Sequence, residues 1–415
     1  MSSDAPPAWR GPAWALAVLL ALLGMLGPFT IDTYLPAFGG IGDALGASPL
    51  QIQQTLSGYL LGFSFMSLFH GAISDSFGRR PVVLWGVAVF TLTSVACALA
   101  QSIGQLVAFR VLQGLSTGAG IVVARTIVRD VYPPAQAQKV MSQVTIFFGV
   151  APAVAPMIGG WLFVWLGWRS IFWFLALLGV LLWVANFRFL PETLPVAQRQ
   201  SFRLPNLLRG YWQLGLDPRF LLLALASSLP FNGNFLYVLA APAFLGGHLQ
   251  LAPTQFFWFF VLNIAGIMGG AWFSGRVAGR MSPRRQIRIG FLVMALAGGT
   301  NLVANLLFTA HAGWALLPPM VYAFGWALMV PVITLLVLDL HPARRGMASS
   351  LQMFVGSLSN AITAGVVAPL VMHSTRTLAL ASISLLAVGL LAWSVLRRHW
   401  PTIGIVRSDS AATLG

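Results

Sequence analysis

Apolar residues run along this chain in long blocks, separated by short polar joints. Windows of about 20 apolar residues, the length of helix that crosses a hydrocarbon core of about 30 Å, fall near residues 13–38, 50–70, 82–101, 104–127, 138–163, 168–190, 219–246, 253–275, 286–309, 313–338, 346–370 and 376–397. Twelve blocks predict twelve membrane-spanning helices. Proline and glycine inside them do not argue against helix, because neighbouring helices in a bundle satisfy the freed backbone groups. The long polar interruption, 191–218, reads PETLPVAQRQSFRLPNLLRGYWQLGLDP and divides the blocks six and six. The expected fold class is an all-α membrane protein. Residues 1–190 would form an N-terminal six-helix bundle, 191–218 a cytoplasmic linker, and 219–415 a C-terminal six-helix bundle with a short cytoplasmic tail. Within the linker, LPNLLRGYWQL has the pattern of an amphipathic helix on the membrane surface.

Composition strengthens this picture. The chain is 58% hydrophobic and 8% charged, against roughly 25% charged in water-soluble domains. Its net charge of +15 raises the question of nucleic acid, and the placement of the bases answers it. With the N-terminus in the cytoplasm, 21 of the 24 bases fall inside, at Arg10, in the joints after even-numbered blocks, and after the twelfth. Arg169 and Arg376 fall outside, and Arg110 falls within a span. The positive-inside rule accounts for the charge and puts both termini in the cytoplasm. The first block is too long for a signal-peptide core and reads as an uncleaved first span.

Few chemistries remain. The single cysteine, Cys97, lies in an apolar run, which excludes a disulfide framework and a cysteine metal site. The six histidines lack metal spacing, no catalytic cluster stands out, and no GxxxxGK[ST] loop exists to cradle a nucleotide phosphate. The sequence therefore predicts no enzyme, no metal and no cofactor. Any uphill work would draw on an ion gradient.

The two halves echo each other: YLPAF closes the first block and YVLAAPAF the seventh, while GRRP follows the second and GRMSPRR the eighth. Parallel six-helix repeats with a site at the midplane between them are a transporter design. Two ionisable groups lie within spans at matching depth. Asp32 and Arg110 are each six residues from the outer end of their block, or roughly 9 Å at helical rise. An isolated charge there costs at least about 2.5 to 3.5 kcal/mol, so an ion pair or a wet cavity is expected. One reading makes Asp32 a titratable acid facing a cavity, with Arg110 tuning its proton. The other makes the two a permanent clamp between the first and fourth spans. Tyr34, Tyr59, Gln113, Asn232, Asn234, Tyr237 and Asn263 are candidates to line a substrate cavity, with Gln54, Gln143, Phe235, Gln352 and Asn360 behind them.

The joint after the second block reads GAISDSFGRRP, with Gly71, Asp75, Gly78, Arg79 and Arg80. Its glycines permit a tight turn and close helix approach, and its charges suit helix ends and headgroups. This joint resembles the loop signature of the major facilitator superfamily, with Ser76 where that family usually carries a base. RVLQG, with Arg110, Gln113 and Gly114, is similar to the family's RxxQG motif, and the same block ends in ARTIVRD with Asp130. GVAPAVAPMIGG, with Pro152, Pro156, Gly159 and Gly160, is similar to the antiporter motif of its drug exporters, with Ala155 replacing a glycine. Together with IDTYLP, GWRSIF and LPETLP, the chain looks closest to the Bcr/CflA group of proton-driven drug exporters.

The resemblance implies proton coupling at Asp32 and Arg110, and a cytoplasmic gate of Gly71, Asp75, Gly78, Arg79, Arg80 and Asp130. It also implies a multi-pass protein of the bacterial inner membrane that exports small amphipathic drugs such as phenicols, bicyclomycin or sulfonamides by alternating access. Its partners would be the drug, protons and the lipid bilayer, with no nucleic acid, and the protein would be monomeric. The alternatives are a metabolite importer or facilitator, which needs no coupling at Asp32, and a non-transporting membrane receptor.

Overall fold

The computed structural model describes residues 12–132 and 134–403, and among them every regular element is a helix. The first half gives α1 (Ala13–Asp32), α2 (Phe38–Leu45), α3 (Pro49–Ser67), α4 (His70–Phe77), α5 (Arg79–Ala98), α6 (Ile103–Val131), α7 (Pro134–Leu166) and α8 (Arg169–Phe189). The linker contributes α9 (Leu204–Gly215). The second half gives α10 (Pro218–Leu239), α11 (Phe257–Val277), α12 (Pro283–Leu307), α13 (Ala312–Ala315), α14 (Leu317–Leu340), α15 (Arg345–Ile362), α16 (Ala368–Val371) and α17 (Thr375–His399).

Several starts are written locally. Ser48, Ser102, Ser282 and Ser374 each accept a backbone N–H from the first turn of the helix that follows, worth about 1 kcal/mol per cap. At Ser48 the cap is reciprocal, since Gln51 reaches back to the Ser48 backbone at 2.9 Å. Pro49 and Pro283 occupy first-turn positions that have no N–H to satisfy.

Ten described helical runs are long and apolar enough to cross a membrane, and α3 with α4 makes an eleventh, bent by 48°. The fifth block is carried by α7, whose described apolar stretch, Val150–Leu166, is shorter. The side chains of Arg125, Arg129, Lys139 and Gln143 lie outside the described residues, as do residues 1–11 with Arg10 and 404–415 with Arg407. Large apolar side chains such as Trp85, Leu92, Trp165 and Leu391 stand exposed, as lipid-facing positions require.

The chain folds into two compact units. One comprises Met1–Arg209, Leu239–Val261 and Met353–His373; the other comprises Gly210–Val238, Leu262–Gln352 and Ser374–Gly415. In the first, α6 is the central helix, packed by α1, α3 and α5, while α7 and α8 pack on α1 and α5. Its α3 also meets residues from later in the sequence through single donors. Gln53 donates to the Leu239 carbonyl at 3.2 Å, Ser57 to Ala361 at 3.0 Å, and Ser64 to Phe354 at 3.2 Å. The expected cavity residue Gln54 is exposed, and its neighbour Gln53 makes the buried bond instead. Two π-helical turns, Pro242–His248 and Thr363–Val367, belong to this unit. In the second unit, α12 packs between α14 and α17.

The linker is helical where amphipathy predicts. On α9, Gly210, Tyr211 and Leu214 are buried while Leu204, Leu208 and Trp212 are exposed. Just beyond it, Asp217 accepts the Arg219 backbone N–H at 2.9 Å and the Arg219 guanidinium at 3.0 and 2.9 Å, with His341 Nε2 at 3.2 Å. Burial pushes the Asp217 carboxyl up, but the hydrogen bonds and charge of Arg219, with His341, outweigh it and hold the group below its ordinary value. A depressed carboxyl contributes stability that is present above its unfolded value, about 3.9, and is lost as pH falls through the folded one. Thermal unfolding in detergent is expected to show a loss of about 1 kcal/mol below about pH 4 that Asp217→Asn removes.

Candidate functional site

The first span brings two prolines to bear on its acid. Pro28 lies inside α1, Asp32 is its last residue, and a 3₁₀ turn, Leu35–Ala37, follows with Pro36 in it. Thr30 and Thr33 hydroxyls turn back onto the carbonyls of Leu26 and Phe29, both at 2.5 Å. The helix thus ends beside Asp32 with carbonyls of its last turn free of intrahelical partners.

Arg110 of α6 uses one of them. It is fully buried, the largest side chain among the described residues to be so. Its Nη1 donates to the Thr30 carbonyl at 3.2 Å and to Gln113 Oε1 at 2.7 Å. Gln113 in turn donates to Ser94 Oγ at 2.8 Å, and Ser94 to the Phe90 carbonyl at 2.7 Å. The guanidinium lies 4.7 Å from the Tyr34 ring centroid, 4.6 Å from that of Tyr59 and 6.0 Å from that of Phe172. Cation–π contacts reach about 2 kcal/mol when desolvated, and the negative end of the α1 dipole adds to them. Nε and Nη2 of Arg110 and the Tyr59 hydroxyl have no hydrogen-bond partner among the described residues. The Tyr34 hydroxyl pairs with Thr55 Oγ1 at 2.8 Å.

The clamp alternative, an Asp32–Arg110 ion pair, does not form: no described ion pair contains either residue. Arg110 instead meets the end of the first span through the Thr30 backbone carbonyl and the Tyr34 ring. Matching depth does not by itself make a pair. Asp32 is 5% exposed and makes no hydrogen bond to a described residue. Behind it stands the antiporter-like segment of α7, with Pro152 and Pro156 inside the helix. A Cβ at Gly159 would collide with the backbone of Thr33, and one at Gly160 would lie 2.6 Å from the Pro253 carbonyl oxygen. Gly159 therefore lets α7 lie backbone to backbone against the end of α1.

Gly114 does the same between α6 and α3. A Cβ there would meet the Tyr59 carbonyl, so this glycine permits the approach that lays the Tyr59 ring on Arg110.

Of the loop residues, Asp75, Arg79 and Asp130 come together, and Glu192 and Thr193 join them. Arg79 pairs with Asp75, with Asp130 Oδ2 at 3.1 Å and with Ser74 Oγ at 2.7 Å. Gly78 has φ +102°, and a Cβ there would strike Glu192. Glu192 accepts the Arg79 and Leu194 backbone N–H groups, both at 3.0 Å, and lies 3.5 Å from Arg199. Thr193 donates to Asp130 Oδ2 at 3.1 Å, and Gln200 N–H to the Asp75 carbonyl at 3.0 Å. Arg80 turns away to the Phe187 carbonyl at 2.7 Å and the Phe187 ring. Gly71 is not a close-approach point, since a Cβ there would sit an ordinary 3.9 Å from Val122.

Of the second-half candidates, Asn232, Asn234, Phe235, Tyr237, Asn263 and Gln352 belong to the second unit and Asn360 to the first. Asn234 donates to Asn263 at 3.0 Å, Asn232 to its own helix at Ser228 at 2.9 Å, and Asn301 to the Tyr237 hydroxyl at 2.5 Å. The sequence alone does not single out Asn301, Asn305 or Tyr322, although the spacing of Asn301 and Asn305 puts both on one face of α12. Phe235 stacks on Phe231 at 5.2 Å, and Gln352 and Asn360 are half-buried.

Two substitutions test this geometry. Gly114→Ala is expected to cost about 2 kcal/mol through overpacking, read as a lowered unfolding temperature in detergent. Glu192→Gln, which keeps size and drops charge, is expected to increase proteolytic cleavage within 191–203.

The Major Facilitator Superfamily pattern matches residues 20–364. The chain is 34% identical over 288 residues to the bicyclomycin resistance protein homolog of Haemophilus influenzae, covering 69% of this chain and 72% of that one. It is 30% identical over 357 residues to multidrug resistance protein D of Escherichia coli, covering 86% and 88%. Among solved structures, a bacterial homolog of the human lysosomal transporter Spinster, in an inward-facing and unoccupied conformation, superposes with TM-score 0.72 at 15% identity, covering 98% of this chain and 100% of that one. With its membrane-spanning helices and relatives named for drug resistance, this multi-pass membrane protein belongs to the major facilitator superfamily and is a transporter, not an enzyme.

Proposed function

We propose that the protein exports small amphipathic compounds from the bacterial cytoplasm across the inner membrane, exchanging each for protons at Asp32. The observation that carries this reading is a buried carboxyl at the end of α1 with neither counter-ion nor hydrogen bond among the described residues. Such a group is free to exchange a proton with water or to meet a substrate, whereas an ion-paired acid is not. Intramembrane carboxyls without a structural partner are ion or substrate sites by default.

Arg110 has a different part in this scheme. It braces α1 against α6 through Thr30 and holds positive potential near the site without neutralising the acid. Tyr34 and Tyr59 are then walls of the guanidinium cage first and cavity candidates second. Alternating access moves the two sequence halves, 1–190 and 219–415, as bundles with both termini in the cytoplasm. The single donors of α3 to Leu239, Phe354 and Ala361 suit this reading, because each is a neutral bond worth about 1 kcal/mol and readily remade. The Arg79 cluster is the corresponding cytoplasmic fastening. The relatives' names, bicyclomycin resistance and multidrug resistance, favour uncharged or weakly charged antibiotics. A cavity with one acid and one arginine near it fits such compounds better than strong cations.

A proton moving inward gains about 2.3 kcal/mol per 100 mV, which sustains roughly a fifty-fold gradient of a neutral compound at one proton each. Uptake of labelled chloramphenicol or bicyclomycin into inverted vesicles with an imposed proton gradient is the test. Wild type is expected to accumulate drug on acidifying the lumen, and Asp32→Asn to lose the gradient-driven part at equal expression. Uptake by wild type that ignores the gradient would replace this reading with facilitated diffusion. Normal pumping by Asp32→Asn at every pH would remove Asp32 from the coupling.

A further inference from the structure

The second unit contains a small cleft with about 10 Å³ of space, lined by residues including Asn234, Tyr237, Gly298, Asn301, Tyr322 and Ser382. That is close to the space one water molecule needs. Two polar atoms on its wall, the Tyr322 hydroxyl and Asn234 Oδ1, are buried without a hydrogen-bond partner among the described residues. Tyr322 is 3% exposed and Asn234 4%.

Each group's surroundings explain why it has no protein partner. The Asn234 amide is already turned by its Nδ2 bond to Asn263, which fixes where Oδ1 points. Tyr322, on α14, reaches α10 where Gly233 leaves room: a Cβ there would collide with the Tyr322 hydroxyl and lie 2.9 Å from the Ser382 carbonyl oxygen. The hydroxyl is thus delivered into a notch where no described group accepts a hydrogen bond from it. A buried hydroxyl and a buried amide oxygen left without partners each carry an uncompensated desolvation cost. One is a donor and the other an acceptor, so a single bridging molecule satisfies both.

We infer that this cavity is a binding site for one ordered water molecule, which accepts from the Tyr322 hydroxyl and donates to Asn234 Oδ1. The water completes a polar chain. It links Asn263 on α11 and Asn234 on α10 to Tyr322 on α14, in the same lining as the Asn301–Tyr237 pair, whose Asn301 accepts from Asn305 at 3.1 Å. Four helices of the unit are then joined through side chains rather than by apolar packing alone. The site is too small for a drug, and it stands independently of the transport reading.

The test compares wild type with Tyr322→Phe in detergent. Infrared difference spectra between H₂¹⁶O and H₂¹⁸O should show an isotope-sensitive O–H stretch of an internal water that is absent from Tyr322→Phe, and the variant should unfold at a lower temperature. An orphan hydroxyl predicts the opposite sign, because its removal relieves an unsatisfied group. An unchanged or raised unfolding temperature, or a band that persists in Tyr322→Phe, overturns the inference. Ala297→Val, which fills the same cavity while leaving Tyr322 in place, should also lose the band. If Tyr322→Phe does not fold, the band's presence in wild type and loss in Ala297→Val decide the matter, and its persistence there overturns the inference.

Discussion

Burying the Arg110 guanidinium is the constraint on which the first unit is organised. A cation away from water must be surrounded by something, and here no described carboxylate does it. Two tyrosine faces, a helix-end carbonyl and a glutamine share the task. Each needs its own support. Gly114 brings α3 close enough for Tyr59, Thr55 holds Tyr34, and Ser94 on α5 holds Gln113. Four helices are therefore positioned by one charge. These groups, not Asp32, take up the Arg110 charge, and Asp32 stays outside every described ion pair.

The same sharing appears at the loop. Arg79 is divided between two aspartates, and the carboxylate that orders its backbone, Glu192, comes from beyond α8. Charge is scarce in this protein, so each of these charged groups bonds several partners. In the second unit, amides and phenols take over, linked in short chains between helices.

Much of this was legible in the sequence. The blocks mark the helices because a membrane span is a long, nearly unbroken apolar run, a signal that needs no tertiary knowledge. RVLQG placed Arg110 and Gln113 on one face because three residues is nearly one turn, and they do bond. Asp75, Arg79 and Asp130 come together as the family resemblance implies. What was not legible depended on the rotation of one helix against another. Asp32 and Arg110 agree in depth, but nothing in a linear sequence states that the Thr30 carbonyl and the Tyr34 ring, not the Asp32 carboxyl, meet the guanidinium. Gln53 and Gln54 posed the same problem, differing by about 100° of azimuth. Tyr322 was hidden by its resemblance to the many aromatics that simply pack.

Glu192 and Gln200 also change what the polar interruption is mechanically. Both ends of that short segment are tied to the loop before α5, at Arg79 and at Asp75. Only residues 201–203 remain between Gln200 and the start of α9 at Leu204, a leash of at most about 14 Å when fully extended. The 28-residue polar interruption thus holds a stretch fastened to Asp75 and Arg79 and a helix, α9, with only three residues between them to take up slack.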